Sequence, residues 1–208
     1  MQQIVLVRHA TATGQDATAA LTSEGQRQAR VLADLLLPLR IQRVISSPFA
    51  RATASVAPFC RRAGLALETD DRLVERVLSA RDLPDWREHV RRSFDDLDYR
   101  LGDGESSRTA QARGTSAVRA AMASGERCVL VTHGNLLALI LRAIDATVGF
   151  DTWSGLSNPD VFVLHVGDEG SEGFNRIWPR PRGRSIVAAD GAARRSSESM
   201  APGGPPRS

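Results

Sequence analysis

The stretch Ile4-Val5-Leu6-Val7-Arg8-His9 lies near the start of the 208-residue chain and decides its fold class. Its four apolar residues form an unbroken, largely β-branched run, which is typical of a strand buried on both faces of a parallel sheet. Ligands of open α/β sheets bind at the carboxyl ends of the strands. Because Arg8 and His9 directly follow the run, we expect them at that edge, where a cation beside an imidazole suits an anion such as phosphate.

A second apolar run has the same organisation. Val129-Leu130-Val131-Thr132 is followed by His133-Gly134-Asn135 and then by a helical segment. The first N–H groups of a helix, together with the positive end of its dipole, bind anions. We therefore predict that His133 and Gly134 lie near His9 and that the start of this helix holds an anion. The remaining histidines lack this placement and are interpreted as structural or surface residues (His89 and His165).

A third strand-to-helix corner supplies another cation. The short strand Arg43–Ser46 is followed by Ser47-Pro48 and by a helix predicted from Phe49 to Ala63. Proline is well tolerated near the start of a helix. Arg51 lies in the first turn, and a guanidinium fork suits the oxygens of a phosphoryl group. Arg51 is therefore a candidate phosphate ligand; the alternative is that it only solvates the corner.

The composition is that of a globular domain followed by a charged tail. Apolar residues make up 42% of the chain and charged residues 25%, as in ordinary globular proteins. All 27 basic residues are arginine, and seven of them lie in residues 176–208 beside only two carboxylates. The net charge of +3 therefore belongs to the tail, and we expect no nucleic-acid binding by the folded part. We assign residues 1–178 to one folded domain and predict that residues 179–208 are disordered.

Cysteine usage and hydropathy indicate a cytoplasmic protein without a membrane partner. Cys60 and Cys128 lie far apart and without metal-ligand spacing, which favours buried thiols in a reducing compartment over a disulfide. No apolar stretch of the sequence is long enough to span a bilayer.

Strands and helices alternate along the chain, which predicts an α/β fold with a mostly parallel sheet covered on both faces. The first helix is predicted from about Thr22, where Ser23 and Gln26 resemble a capping box. Two late strands, Val161–Val166 and Gly173–Trp178, are predicted to pair. The polar segment 72–105 is either a surface helix with apolar anchors or a lid over the carboxyl edge of the sheet.

The three corners resemble motifs of the histidine phosphatase superfamily, which includes the cofactor-dependent phosphoglycerate mutases. Six segments carry the resemblance in the family's order: Arg8-His9-Ala10, Leu21–Ala29, Ser46–Ala52, Leu73-Val74-Glu75-Arg76, Gly102–Ser107 and Val131–Asn135. Each motif alone is weak evidence, but their combination in order is specific. The resemblance implies a phosphoglycerate mutase-like, three-layer α/β/α sandwich and a reaction through a phosphohistidine intermediate.

The resemblance also implies roles for individual residues. His9 is the implied nucleophile and must be neutral, a state that the charge of Arg8 favours. The implied phosphate pocket consists of Arg8, Arg51, His133 and Gly134, and His133 also belongs to the catalytic set. Glu75 is implied as general acid and then general base; the alternative is a surface glutamate paired with Arg72 or Arg76. Glu105 is interpreted as a structural, loop-ordering residue.

Two departures from the family pattern concern the substrate. Thr11–Gln15 lacks the asparagine that mutases and many sugar-phosphate phosphatases carry there, and Val77–Arg81 replaces their glycine- and aromatic-containing continuation after Glu75. We therefore predict a phosphomonoester hydrolase, without metal or other cofactor, that acts on a small phosphorylated metabolite. A bisphosphoglycerate-dependent phosphoglycerate mutase, a protein phosphohistidine phosphatase and an inactive phosphate-binding module are the alternatives, and a homodimer is left open.

Overall fold

The computed structural model describes residues 3–79, 81, 83–166 and 172–179 and is built on a six-stranded sheet. The strands are β1 (Gln3–Arg8), β2 (Arg43–Ser46), β3 (Leu67–Thr69), β4 (Cys128–Thr132), β5 (Asp160–Val166) and β6 (Glu172–Arg176). Their spatial order is β3-β2-β4-β1-β5-β6. The first four are parallel, whereas β5 runs antiparallel to β1 and pairs antiparallel with β6. The predicted mostly parallel sheet and the predicted pairing of the two late strands are confirmed.

Helices cover both faces of this sheet. Those of the described residues are α1 (Ser23–Leu36), α2 (Ala50–Ala63), α3 (Trp86–Asp95), α4 (Ser107–Ala123), α5 (Gly134–Ile144) and α6 (Phe150–Ser154). Side chains of β1 alternate between two apolar cores: Ile4 and Leu6 pack with α4 and α5, and Val5 and Val7 pack with α1 and α2. This alternation explains why the strand is apolar at every position. The three-layer α/β/α architecture is thereby confirmed.

Several local features differ from the predicted ones or are decided only by the structure. The cap of α1 is Thr22, whose hydroxyl accepts a hydrogen bond from the Gly25 N–H at 3.0 Å, so the predicted capping box at Ser23 lies one residue too late. The short helix α6 was not predicted. Segment 72–105 contains α3, which buries Val90 and Phe94 in the core beside α4 and α5. This is the arrangement of a surface helix with apolar anchors.

Two further predictions can be compared with the described residues. Cys60 and Cys128 are both buried and free, as the sequence indicated. In the described part of the chain, no helix is long and apolar enough to cross a membrane. The predicted disordered tail falls almost wholly on residues 180–208, which lie outside the described residues.

Candidate active site

The three corners meet at the carboxyl edge of the parallel strands. β1 and β4 are neighbours in a register that places Arg8 opposite Thr132, so His9 and His133 leave the sheet side by side. The centroids of their imidazole rings are 5.0 Å apart. β2 flanks β4 and ends at Ser46, so its corner delivers the first turn of α2 to the same place. Adjacent parallel strands thus bring together residues that are distant in sequence.

His9 is held with one ring nitrogen directed into the site. Its side chain is buried, and its Nδ1 lies 2.7 Å from the carbonyl oxygen of Ala10. A carbonyl only accepts hydrogen bonds, so we assign the proton to Nδ1 and the lone pair to Nε2. Nε2 accepts a hydrogen bond from Nε of Arg51 at 3.2 Å.

The surroundings of His9 favour its neutral form. Burial lowers the pKa of His9 to about 4; the contact with the Ala10 carbonyl opposes this change, and the charges of Arg51 and Arg8 add to it. The sequence argument named Arg8 as the cause. In the structure burial is the larger cause, and Arg51 contributes more than Arg8. A neutral imidazole with a free lone pair is the form that attacks an electrophile.

Arg51 is built into the site rather than placed at the surface. It is 1% exposed, and its Nη1 donates to the carbonyl oxygens of Gln15 and Asp16, each at 2.8 Å. The loop that departs from the family pattern at Thr11–Gln15 therefore supplies a backbone acceptor for this arginine. The alternative that Arg51 only solvates its corner does not fit its burial.

Arg8 is clamped between a loop and a glycine. Its Nη1 donates to the carbonyl oxygens of Leu156, at 3.0 Å, and Ser157, at 3.3 Å. On the other side, a Cβ atom at Gly134 would lie 3.0 Å from Cζ and from Nε of Arg8, so only glycine leaves the guanidinium in this position. Nε of Arg8 is buried and has no hydrogen-bond partner among the described residues.

His133 is fully buried beside these cations. Its Nε2 lies 2.8 Å from the hydroxyl of Ser47, and its Nδ1 has no partner among the described residues. Burial, with the neighbouring His9 and Arg51, lowers the pKa of His133 to about 2. A neutral His133 donates or accepts a single hydrogen bond at each ring nitrogen. The site thus contains two buried nitrogens, on Arg8 and His133, that suit the oxygens of an anion.

Glu75 occupies the start of α5. One carboxylate oxygen accepts from the backbone N–H groups of Arg76 (2.9 Å) and Leu136 (3.0 Å), and the other accepts from Asn135 (3.0 Å). The prediction that this helix start holds an anion is right about the charge. The prediction is wrong about which anion these N–H groups bind, because the backbone N–H groups of Asn135 and Leu136 donate to the Glu75 carboxylate.

The geometry differs from the alternative in which Glu75 pairs with Arg72 or Arg76. Arg72 pairs with Asp70, and the side chain of Arg76 donates to the Glu105 carbonyl and to Ser93. Neither arginine side chain hydrogen-bonds the Glu75 carboxylate. The charge of Glu75 opposes the lowering of the pKa of Arg8 and Arg51 caused by burial, so it lies within electrostatic range of both.

Several residues near the site were not assigned a role from sequence. Ser47 holds His133, and the side-chain amide of Asn158 donates to the His9 carbonyl at 2.9 Å. The hydroxyl of Thr132 donates to the Leu73 carbonyl at 2.8 Å. Arg113 forms a bidentate ion pair with Glu105, confirming the structural role of that carboxylate. Glu105 precedes α4 and Arg113 lies on it, and the sequence gave no signal for this pair.

In the described residues, no group of three or more His, Cys, Asp or Glu side chains is arranged to hold a metal ion. The polar groups that face the site are instead arginine and histidine nitrogens with the Glu75 carboxylate nearby.

The comparison with protein families identifies the family of this chain. The model of the histidine phosphatase superfamily (branch 1) matches residues 4–173. The chain belongs to the histidine phosphatase superfamily. The predicted family is confirmed, and so is the enzyme class, a phosphatase.

Several solved structures have the same fold as this chain. Mycobacterial glucosyl-3-phosphoglycerate phosphatase in complex with VO3 has a TM-score of 0.70 and 22% identity, over 86% of this chain and 99% of that chain. A mutant phosphoserine phosphatase from Entamoeba histolytica in complex with phosphoserine has a TM-score of 0.69 and 15% identity, over 84% and 95%. Bacillus stearothermophilus YhfR has a TM-score of 0.69 and 21% identity, over 83% and 95%. A search by sequence among curated proteins gave no significant match.

Proposed function

We propose that this phosphatase is a metal-independent phosphomonoester hydrolase that acts through phospho-His9 on a small phosphorylated metabolite. The observation that carries the proposal is the state of His9. Its Nδ1 proton is engaged by the Ala10 carbonyl, and its Nε2 lone pair points to Arg51 inside a buried cationic site. This is the arrangement that an attacking imidazole needs beside a phosphoryl group.

In the first step, His9 Nε2 forms a bond to phosphorus while the bond from phosphorus to the ester oxygen breaks. Arg51 exchanges its contact with Nε2 for a phosphoryl oxygen, and Arg8 Nε with His133 Nδ1 holds the others. These fixed donors stabilise the charge that spreads over the phosphoryl oxygens in the transition state. Glu75, as a carboxyl group, gives its proton to the leaving oxygen.

In the second step, water attacks phosphorus and the bond to His9 breaks. The Glu75 carboxylate accepts a proton from the water, and inorganic phosphate leaves. The backbone N–H groups of Arg76, Asn135 and Leu136 hold the Glu75 side chain in place for this step. Two arginine charges supply the neutralisation of the phosphoryl group, which supports a reaction without a metal ion.

The choice of a small substrate rests on two arguments. The relatives with named activities act, by their names, on glucosyl-3-phosphoglycerate and phosphoserine, both small phosphorylated metabolites. The residues implied to hold phosphate, Arg8, Arg51 and His133, come together in this chain. The departures from the mutase pattern, at Thr11–Gln15 and Val77–Arg81, fall in segments that the resemblance assigns to the rest of the substrate. The pocket therefore supports hydrolysis better than the return of a phosphoryl group to a retained second ligand.

The test is phosphatase activity in the presence of EDTA with acid-quench and alkaline trapping of a phosphoenzyme. Phosphoserine, glucosyl-3-phosphoglycerate, sugar phosphates, nucleotides and a phosphohistidine peptide form the substrate panel. We expect the wild type to release phosphate and to form a phosphohistidine with EDTA present. In His9→Ala the phosphohistidine should be lost and the activity should fall about 10³-fold or more. His165→Ala is the matched control, because His165 lies on β5 at the opposite end of the sheet.

Undiminished activity of His9→Ala would refute the nucleophile. Incubation with 3-phosphoglycerate and a bisphosphoglycerate primer distinguishes a phosphoglycerate mutase from the proposed hydrolase. Interconversion of phosphoglycerates without release of inorganic phosphate would show a mutase instead of a hydrolase.

A further inference from the structure

The irregular segment that carries Glu75 is held by hydrogen bonds at three successive carbonyl groups. Nη1 of Arg113, on α4, donates to the carbonyl oxygens of Arg72 and Val74, each at 2.8 Å. The hydroxyl of Thr132 donates to the carbonyl between them, that of Leu73, at 2.8 Å. Because the Val74 carbonyl belongs to the peptide unit that leads into Glu75, these bonds fix the backbone from which the Glu75 side chain extends.

The same guanidinium is itself fixed by a carboxylate. Nε and Nη2 of Arg113 donate to the two oxygens of Glu105 at 2.7 and 2.8 Å. Both side chains are only 20% exposed, so water screens this pair less than a surface pair. The planar fork of one arginine thus serves a carboxylate on one edge and two carbonyls on the other, which a lysine ammonium does not reproduce.

The location of Arg113 relates this clamp to the reaction centre. The Glu75 side chain contacts α5 through Asn135 and Leu136, while Arg113 approaches the Glu75 segment from α4. Glu75 is therefore held between two helices. Arg113 also lies close enough for its charge to contribute to the lowered pKa of His133.

We infer that Arg113, braced by Glu105, is a positioning residue that sets the Glu75 carboxyl group for proton transfer to the leaving group. The inference rests on the proposed function, in which Glu75 is the acid and base. It makes a prediction that a purely structural ion pair does not make. Loss of Arg113 affects the steps in which Glu75 moves a proton and spares phosphoryl transfer to His9 when the leaving group needs no proton.

The experiment compares two substrates in single-turnover, rapid-quench measurements of phospho-His9 formation. Glycerol 2-phosphate has an alkoxide leaving group that needs a proton, and p-nitrophenyl phosphate has a weakly basic one that does not. In Arg113→Met we expect the rate ratio of the first substrate to the second to fall about 100-fold. Glu75→Gln should shift the ratio in the same direction, and Arg113→Lys should not restore it.

Arg108→Met is the matched control, because Arg108 lies on the same helix and forms a bidentate pair with Asp98 that is exposed. Its ratio should equal that of the wild type. Glu105→Gln removes the charge of the side chain that braces Arg113 but keeps its shape. It should lower the rate ratio by less than Arg113→Met does, and it tests the inference if Arg113→Met does not fold.

An equal loss with both substrates in the Arg113 and Glu105 variants, or no loss, would overturn the inference. The proposed function is judged separately in the same measurement. Failure of the wild type to form phospho-His9 with either substrate would refute the hydrolase mechanism, whereas normal labelling with an unchanged ratio would refute only the role of Arg113.

Discussion

Proton placement on His9 is the feature that determines the chemistry at the scale of single residues. The Ala10 carbonyl selects the Nδ1–H tautomer, and a guanidinium N–H at Nε2 opposes protonation there. A permanent cation and an imidazolium would repel each other at this distance, so burial and charge act in the same direction. His9 is thereby kept as a neutral imidazole at neutral and mildly acidic pH, the form that the proposed nucleophile needs.

This arrangement predicts the titration of His9. Long-range 1H–15N NMR spectra should show the Nδ1–H tautomer at pH 7 and a titration midpoint near pH 4, the value to which burial lowers the pKa. Arg51→Gln should raise the midpoint, because it removes a neighbouring positive charge. A wild-type midpoint near 6.5, the value of an exposed histidine, would contradict this account.

Four of the predicted site residues could be placed from sequence because each follows directly on a strand or begins a helix. Parallel strands end at one edge, so Arg8, His9, Arg51 and His133 had to converge there. The partners of these residues could not be predicted in the same way. Ser47 lay within a recognised motif without an evident role. Arg113 and Asn158 act through contacts between segments far apart in the chain, and no local pattern encodes such contacts.

At the scale of secondary structure elements, the start of α5 combines two functions. Its N–H groups at Asn135 and Leu136 bind the Glu75 carboxylate, and its first residue, Gly134, lies against the guanidinium of Arg8. A negative charge at the amino end of a helix is favourable. One helix terminus therefore contacts both the candidate acid–base group, Glu75, and the candidate phosphate ligand, Arg8.

Gly134→Ala should weaken phosphate binding without unfolding the protein. The added methyl would lie 3.0 Å from Cζ of Arg8, so the flexible end of that side chain must move by a few tenths of an ångström. We expect the inhibition constant for inorganic phosphate to rise about tenfold, because misplaced groups lose binding steeply. An unchanged inhibition constant would show that Arg8 does not depend on this glycine.

Gly114→Ala, on α4, is the matched control for that substitution. Its methyl would lie 2.9 Å from side-chain atoms of Ile140 and Leu136 in the contact with α5. Overpacking of this kind costs about 1–3 kcal/mol of stability. The control should lower the melting temperature and leave the inhibition constant for phosphate unchanged, the reverse of Gly134→Ala.

At the scale of the whole molecule, the alternation of strands and helices was sufficient to predict the three layers but not the order of the strands within the sheet. The two cores follow from strands such as β1 that are apolar on both faces. The strand order β3-β2-β4-β1-β5-β6 depends on which edges pair, and several orders satisfy the same hydrophobic pattern. The helix α6 spans only Phe150–Ser154, too short for a periodic signal.

Burial of neutral histidines also makes the stability of the whole fold depend on pH. Between pH 6.5 and 4 an unfolded chain protonates His9 while the folded protein does not, because the pKa of folded His9 is about 4. The unfolded state therefore binds more protons in this window, and the free energy of unfolding falls as the pH falls. For His9 alone the loss between pH 7 and pH 4 is about 3 kcal/mol. Urea denaturation of wild type and His9→Gln at pH 7, 5.5 and 4 compares this loss between the two proteins, since groups that do not interact with His9 affect both alike. The wild type should lose stability more steeply, and parallel curves for the two proteins would show that His9 is not held neutral by the fold.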